Sequence, residues 1–137
     1  MHLTGGCLCG AVRYESTGEI VRRFLCHCRD CKRSSSSAFY FGLTVPRAGF
    51  RLLQGELKDY RRVGESGRWV LRRFCPVCGS GVVNELELRP EYVVIRAGTL
   101  DEPELVAPAY EVYARSKAAW LSTGDIPSHP DMTPPSA

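Results

Sequence analysis

The sequence predicts one compact all-β domain, and three observations support that prediction. Short apolar or alternating segments follow one another at close spacing, which is typical of strands joined by turns. Only residues 114–121 (ARSKAAWL) have a helical composition, and that segment is short. The 137 residues contain no internal repeat and no linker that would divide the chain, and this length suits one ordinary domain.

Five strands are expected in the first half of the chain. Residues 12–15 (VRYE) alternate apolar and charged side chains, which is the period of a strand. The expected strands span 12–15, 20–25, 38–44, 50–53 and 57–63, with a turn at Gln54-Gly55 between the last two. The stretch from Asp30 to Ser37 (DCKRSSSS) suits a helical turn or a loop equally well.

The second half of the chain is expected to hold four more strands and a tail. The strands span 68–74, 82–88, 92–97 and 109–114, and the first of them leads directly into the sequence CPVCG. Four of the nine prolines lie after Ser122, at Pro127, Pro130, Pro134 and Pro135. The prediction is therefore a domain over residues 1–127 and a Pro-rich tail over 128–137, lying on the surface or partly disordered.

Composition restricts the class of protein. Apolar residues make up 44% of the chain and charged residues 24%, which is a globular balance. The N-terminus lacks the basic and apolar segments of a secretory signal, and no apolar run approaches the roughly 20 residues of a membrane span. We therefore expect a cytoplasmic, reducing setting. Close-spaced cysteines there bind metal or do chemistry more often than they form disulfides.

Seven cysteines are the candidate functional residues. Cys75 and Cys78 form a C-x-x-C turn followed by a glycine, and Cys7 and Cys9 form a tighter C-x-C turn, also followed by a glycine. Such turns bring two sulfurs to one point, and Zn²⁺ binds thiolates tetrahedrally at about 2.3 Å. Metal binding is therefore favoured over a redox pair or a chance turn.

The spacing allows two ways of grouping the cysteines. In the first, Cys7, Cys9, Cys75 and Cys78 form a closed four-thiolate site, and Cys26, Cys28 and Cys31 form a second site. In the other, Cys28, Cys31, Cys75 and Cys78 form a zinc ribbon, and three thiols are left idle. The first grouping is preferred because it assigns every cysteine. A closed site suits a structural role, and three ligands with an open fourth position suit catalysis.

The open site favours sulfur chemistry over hydrolysis. Three thiolates on Zn²⁺ carry a net charge of −1, so that the metal polarises water weakly, but a thiol that binds there is held as thiolate. A substrate thiol is therefore expected in the fourth position. A zinc content of one per chain, rather than two, would contradict this hypothesis.

The residues beside the Cys26–Cys31 triplet give weaker indications. In an extended backbone His27 points away from Cys26 and Cys28, so an imidazole packed or hydrogen-bonded beside the loop is favoured over a ligand. Arg29 or Lys32 is a candidate for attracting an anionic thiol, and Ser34–Ser37 for lining a pocket. The arginine pairs are expected mainly on solvated strand faces, so nucleic acid is not favoured as a partner; they are Arg22-Arg23, Arg61-Arg62 and Arg72-Arg73, with Lys32-Arg33.

Five motifs together resemble the glutathione-dependent formaldehyde-activating enzyme family, which includes centromere protein V. They are GGCLCGAVRYE, CHCRDCKRSSSSAF, RRFCPVCGSGV, AGTLDEP and SKAAWL, and they cover the chain in order from Gly5 to about Pro127. The resemblance implies a compact, zinc-bound β fold of pseudo-barrel type. It also implies a structural zinc on Cys7, Cys9, Cys75 and Cys78 and a catalytic zinc on Cys26, Cys28 and Cys31, which makes two Zn²⁺ per chain.

The activity implied by the resemblance is that of a carbon–sulfur lyase. The reaction would interconvert S-(hydroxymethyl)glutathione with glutathione and formaldehyde, so a small thiol such as glutathione is the expected partner. The chain departs from the family pattern at Ser34–Ser37, where a glycine is common, and at Glu111-Val112-Tyr113, where a His-Ile-Phe run is common. Both departures are expected near the pocket. The alternatives are a non-catalytic zinc module that binds protein or nucleic acid, and a thiol redox protein.

Overall fold

The computed structural model describes residues 1–132, which fold into ten strands and one α-helix. The strands are β1 (Leu3–Gly6), β2 (Arg13–Ser16), β3 (Arg22–Cys26), β4 (Tyr40–Pro46), β5 (Phe50–Gln54), β6 (Lys58–Val63), β7 (Trp69–Phe74), β8 (Gly81–Leu86), β9 (Tyr92–Arg96) and β10 (Tyr110–Val112). The helix is α1 (Arg29–Ser35). The prediction of a compact, mostly β fold is confirmed.

The strands form two sheets. The smaller sheet has the order β1-β2-β5, and the larger has the order β10-β3-β4-β9-β8-β7-β6. Neighbouring strands are antiparallel except β10, which pairs with β3 in parallel. The chain passes from the smaller sheet to the larger between β2 and β3, returns between β4 and β5, and passes to the larger sheet again between β5 and β6, where a turn at Gln54-Gly55 was expected.

The two faces of the larger sheet have different environments. On one face Leu43, Val45 and Ile95 are fully buried, and they pack in one core with Val12 and Tyr14 of the smaller-sheet side. The other face carries the residues that alternate with these core residues along each strand, such as Thr44 between Leu43 and Val45. They align in a row across five strands through the pairs Arg22↔Thr44, Thr44↔Val94, Asn84↔Val94 and Arg72↔Asn84. Because cross-strand partners share a face, this row points away from the core.

All nine expected strands are found in the expected order, with shifts of one or two residues at most ends, and the structure has a tenth. The sequence analysis missed β1, a four-residue strand with two glycines. The open question at Asp30–Ser37 is answered by α1. The helical expectation for 114–121 is wrong beyond its first turn, since only Ala114–Ser116 forms a 3₁₀ turn.

The C-terminal segment continues the sheet beyond β10. The Glu111 N–H donates to the Pro127 carbonyl at 2.9 Å, and the His129 N–H donates back to the Glu111 carbonyl at 3.0 Å. Residues 127–131 therefore pack along β10, and residues 133–137, with Pro134 and Pro135, lie outside the described part of the chain. The domain boundary at 127 stays a prediction.

In residues 1–132, no helix has the length and apolar character that crossing a bilayer requires.

Candidate metal centres and the adjoining pocket

Two turns bring four cysteines together. Cys7 and Cys9 lie in the turn between β1 and β2, and Cys75 and Cys78 lie in the turn between β7 and β8. Their four Sγ atoms all lie within 4.8 Å of one another. The turns also contact each other directly, because the Leu8 N–H donates to Ser80 Oγ at 3.1 Å. We call this group the four-cysteine cluster.

The four-cysteine cluster has the geometry of a thiolate metal site. The Sγ atoms are 3.7 Å apart for Cys7 and Cys9 and 3.9 Å apart for Cys9 and Cys75. Bonds of about 2.3 Å in a tetrahedron place sulfurs about 3.8 Å apart, so the group fits zinc. Backbone N–H groups also point at the sulfurs, from Val12 to Cys7 at 3.2 Å and from Cys78 to Cys75 at 3.5 Å.

The glycines after the two turns have a left-handed backbone conformation. Gly10 and Gly79 have φ values of 82° and 79°, in the left-handed region that an L side chain rarely adopts. The Gly79 N–H donates to the Cys75 carbonyl at 2.9 Å, which closes the turn around the sulfurs.

The other three cysteines form a second group at the junction of β3 and α1. Cys26 ends β3, Cys28 caps α1 and Cys31 lies in its first turn. Their Sγ atoms also lie within 4.8 Å of one another, and the Cys31 N–H donates to Cys28 Sγ at 3.3 Å. Cys26 and Cys28 are buried and Cys31 is half-buried. This three-cysteine cluster offers three sulfurs and fits a metal with one further coordination position.

The three-cysteine cluster favours negative charge on Cys28. Hydrogen bonds from the thiols of Cys26 and Cys31 lower the pKa of Cys28 to about 3, and the positive charge of Arg72 acts in the same direction. The same arrangement raises the pKa of Cys26, because its proton is held between the neighbouring sulfurs. The cluster is therefore suited to hold a cation.

The grouping of the cysteines follows the first of the two schemes. Among residues 1–132, both clusters that could hold a metal ion keep the Cys26–Cys31 triplet apart from Cys75 and Cys78. The zinc-ribbon grouping is therefore not formed. The assignment of each cysteine as a metal ligand stays a prediction.

A cavity of ≈ 160 Å³ opens beside the three-cysteine cluster. Cys26, Cys28 and Cys31 line it, and the four-cysteine cluster does not. Its floor is the face of the larger sheet that points away from the core; from that face it is lined by Phe24, Tyr40, Thr44, Val70, Arg72, Asn84, Leu86, Val94, Tyr110 and Val112. Only one of the two clusters can therefore be reached by a ligand in this pocket.

The floor of the pocket carries buried polar atoms without hydrogen-bond partners in the described part of the chain. They are Tyr40 Oη, Arg72 Nε and Asn84 Oδ1. Burial raises the pKa of Tyr40, so its hydroxyl keeps its proton and can donate. Because buried polar groups are normally paired, these atoms mark where a polar ligand is expected.

His27 is fully buried and hydrogen-bonded, as the sequence analysis expected. Its Nε2–H donates to Glu111 Oε1 at 2.7 Å. Glu111 also accepts from Lys117 Nζ at 3.1 Å and from Thr123 Oγ1 at 2.9 Å. Of the Glu111-Val112-Tyr113 departure, Val112 and Tyr113 line the pocket, and Glu111 lies behind it.

The expectation that Ser34–Ser37 line the pocket is wrong, and the attraction of an anionic thiol by Arg29 or Lys32 stays a prediction. Ser34–Ser37 do not line the pocket; the Ser35 hydroxyl instead donates to the Cys31 carbonyl at 2.7 Å inside α1. Arg29 and Lys32 do not line it either, and Lys32 Nζ donates to the Ser116 carbonyl at 2.7 Å. The Ser35 hydroxyl therefore bonds a carbonyl within the helix, and the Lys32 ammonium bonds one in the C-terminal part of the chain.

Arg72 lines the pocket together with Arg22, Arg68 and Arg89, a position that was not expected from the sequence. It was expected on a solvated strand face, but it is only 8% exposed. One signal was available in RWVLRRF, where strand periodicity places Arg72 on the same face as Val70 and Phe74. An arginine among apolar residues of one strand face is unusual on a surface.

The fold and the site together define a β domain with two cysteine clusters that could hold metal ions, one enclosed and one open to a pocket. The model of the family described as glutathione-dependent formaldehyde-activating enzyme matches residues 2–116. The chain belongs to this family. A crystal structure of a Rhodobacter sphaeroides protein is similar in fold, with a TM-score of 0.60 and 22% identity over 91% of this chain and 98% of that one.

Proposed function

We propose that this protein is a two-zinc carbon–sulfur lyase that forms or cleaves the S-hydroxymethyl adduct of a small, glutathione-like thiol with formaldehyde or a related aldehyde. The observation that carries the proposal is the contrast between the two clusters. One has four sulfurs and lies away from the pocket, and the other has three sulfurs and lines it. Family membership supplies the reaction class.

The four-cysteine cluster has a structural role in this proposal. Cys7, Cys9, Cys75 and Cys78 would hold one zinc and fix the two turns to each other. A site with four protein ligands has no position for a substrate.

The three-cysteine cluster would hold the second zinc at the end of the pocket. When bound, that metal stabilises a substrate sulfur as the thiolate. Phe24, Leu86 and Tyr110 give the pocket apolar walls. Apolar walls lower the local dielectric constant, which strengthens electrostatic interactions with the charges that form in the reaction.

The reaction needs no oxidant or reductant. In the forward direction the sulfur lone pair attacks the aldehyde carbon, the carbon–sulfur bond forms, and the carbonyl π pair becomes an oxyanion that takes one proton. The Tyr40 hydroxyl, buried in the pocket without a partner in residues 1–132, would hydrogen-bond that oxygen. Cleavage follows the same steps in reverse.

The cytoplasm remains the proposed compartment, because all seven cysteines are free thiols.

Exchange measurements test this function. Zinc-loaded protein is mixed with formaldehyde and a series of thiols including glutathione, and adduct exchange is followed by NMR. We expect exchange above the uncatalysed rate for at least one thiol, and its loss in Cys28→Ser. The matched control is Ser35→Ala, which alters α1 without touching a sulfur.

Absence of catalysed exchange would contradict the proposed activity. Equal exchange rates with the protein, with Cys28→Ser and without protein, under every thiol, would contradict the lyase. Salt-dependent affinity for a nucleic acid would then favour a zinc binding module.

A further inference from the structure

The strongest unused feature of the pocket is Arg72. The whole residue is only 8% exposed, and its side chain has no hydrogen-bond or carboxylate partner among residues 1–132, although its charge acts on the Cys28 sulfur. A buried guanidinium without a partner is costly, and natural proteins rarely retain one unless something binds to it.

The position of Arg72 makes a structural explanation insufficient. It lies on β7 opposite Asn84 of β8, and both side chains line the pocket floor. The neighbouring Arg73 faces the other side of the same strand, where it pairs with Asp59 at 2.9 Å and Glu85 at 3.2 Å. The strand therefore offers carboxylate partners on one face and leaves the buried arginine without one on the other.

The chemistry of the unpaired groups indicates their ligand. Arginine presents a planar fork of N–H donors that matches a carboxylate in two parallel hydrogen bonds. Asn84 Oδ1, beside it, requires a donor such as the N–H that lies near a carboxylate in an amino acid. The three-cysteine cluster lines the same cavity, so one small molecule can reach both ends.

We propose that Arg72 is the specificity-determining residue of the pocket and binds a carboxylate carried by the substrate thiol. The proposal rests on the proposed function only in requiring that the three-cysteine cluster bind a thiol. A thiol that also carries a carboxylate is the preferred ligand, and neutral or cationic thiols of similar size bind weakly.

Calorimetric titration of the zinc-loaded protein, without aldehyde, tests this. The probes are 3-mercaptopropionate, 2-mercaptoethanol and cysteamine, which differ mainly in end-group charge. We expect 3-mercaptopropionate to bind about tenfold more tightly than 2-mercaptoethanol, the ratio expected of one charged hydrogen-bonded pair. Arg72→Met should reduce that ratio to about twofold or less, and Arg72→Lys should leave it between these values, because charge remains but the fork is lost.

The control and the contrary outcomes are distinct. Arg73→Met removes the same side chain from the other face of β7 and should keep the wild-type ratio. Equal affinity of the wild-type protein for all three thiols would overturn the proposal without any variant. An equal loss for all three in Arg72→Met would also overturn it, and would show that Arg72 only balances the charge of the three cysteines.

The test also separates this proposal from the proposed function. A carboxylate preference together with no adduct exchange would contradict the lyase and leave the role of Arg72 supported. Adduct exchange without a carboxylate preference would do the reverse. Failure of every thiol to bind would overturn both.

Discussion

At the scale of single residues, Glu111 joins three parts of the chain that are distant in sequence. Its carboxylate accepts from His27 at the three-cysteine cluster and from Lys117 and Thr123 in the C-terminal segment. Burial alone would raise the pKa of this carboxyl, but the hydrogen bonds from His27, Lys117 and Thr123 outweigh it and lower the pKa to about 2. Glu111 is therefore charged at neutral pH and holds the C-terminal segment against β3.

Replacing this carboxylate should be costly. We expect Glu111→Gln to lower the free energy of unfolding by about 2–3 kcal/mol, because a buried network loses its charge and Lys117 loses its partner. Chemical denaturation of the metal-loaded protein measures this. Glu104→Gln is the control, since Glu104 is exposed and a surface substitution is expected to stay within about 0.5 kcal/mol. A cost for Glu111→Gln no larger than the control's would contradict the network.

Asp101 should give the stability a defined pH dependence. Hydrogen bonds from Arg13 and Thr4 lower its pKa from 3.8 to about 2 in the folded chain. A carboxyl group whose pKa is lowered on folding stabilises the folded chain at pH values above its unfolded pKa. That contribution is lost as the pH falls from about 4 through 2. Asp101 is 42% exposed, so solvent screening limits the effect to about 0.5–1 kcal/mol.

Comparison of the wild type with Asp101→Asn measures this effect. The difference in unfolding free energy should be constant from pH 7 to pH 5 and should shrink between pH 4 and pH 3. Asp125→Asn, at an exposed site, should show no difference at any of these pH values. A difference that grows on acidification has the wrong sign and would contradict the assignment.

Residues differ in how far the sequence predicts their roles. The cysteine pairs could be predicted because C-x-C and C-x-x-C turns fix sulfur positions locally, whereas the grouping of the pairs was preferred only because it assigned every cysteine. The position of His27 followed from strand alternation alone. Arg72 and Asn84 could not be assigned, because their burial depends on three neighbouring strands that the local pattern does not identify.

At the scale of elements, α1 ends in a conformation that favours glycine. Ser36, directly after the helix, has φ 52° and ψ 40°, and its N–H donates to the Arg33 carbonyl at 3.3 Å. Glycine is the usual residue in a left-handed C-terminal cap. This is the physical reason that a glycine suits the serine run where the chain departs from its family pattern.

Ser36→Gly should therefore stabilise the protein. We expect a gain of about 0.5–1 kcal/mol, because the left-handed backbone penalty of serine is removed. Thermal and chemical denaturation measure the change. Ser37→Gly is the matched control: Ser37 is exposed and lacks the positive φ, so glycine there should be neutral or destabilising. Equal effects of the two substitutions would contradict the cap.

Strands with a clear hydrophobic pattern were predicted well, but the pairing of strands with one another was not. The alternation in 12–15 and the apolar runs of β4 and β9 mark strands without any knowledge of neighbours. The parallel pairing of β10 with β3 joins residues more than 80 positions apart, for which no local signal exists. Residues 117–121 have helical composition, but they follow Tyr113, which has φ 53°, and Lys117 donates to Glu111 of β10 and to Thr123.

At the scale of the whole molecule, the two cysteine clusters should respond differently to the loss of a sulfur. Cys75→Ser removes a sulfur from the group proposed to fix two hairpin turns, so we expect the zinc content to fall from two to one per chain. The unfolding temperature should fall by about 10 °C or more, which corresponds to a loss of about 2–3 kcal/mol in the free energy of unfolding. Cys31→Ser should also reduce the zinc content to one, with a smaller temperature shift and complete loss of adduct exchange.

Elemental analysis, differential scanning calorimetry and the exchange assay check these expectations together. A wild-type content of one zinc would contradict the two-centre proposal. A larger thermal shift for Cys31→Ser than for Cys75→Ser would reverse the roles assigned to the clusters.

In the larger sheet, the residues that determine folding stability and the residues that contact a ligand alternate along each strand. In β4, β8 and β9 the residues Leu43, Val83 and Ile95 face the core, and their sequence neighbours Thr44, Asn84 and Val94 face the pocket. A lineage can therefore acquire a different ligand by changing every second residue of these strands while folding stability is preserved by the others. Directed libraries restricted to the pocket-facing positions should accordingly yield many folded variants with altered thiol preference.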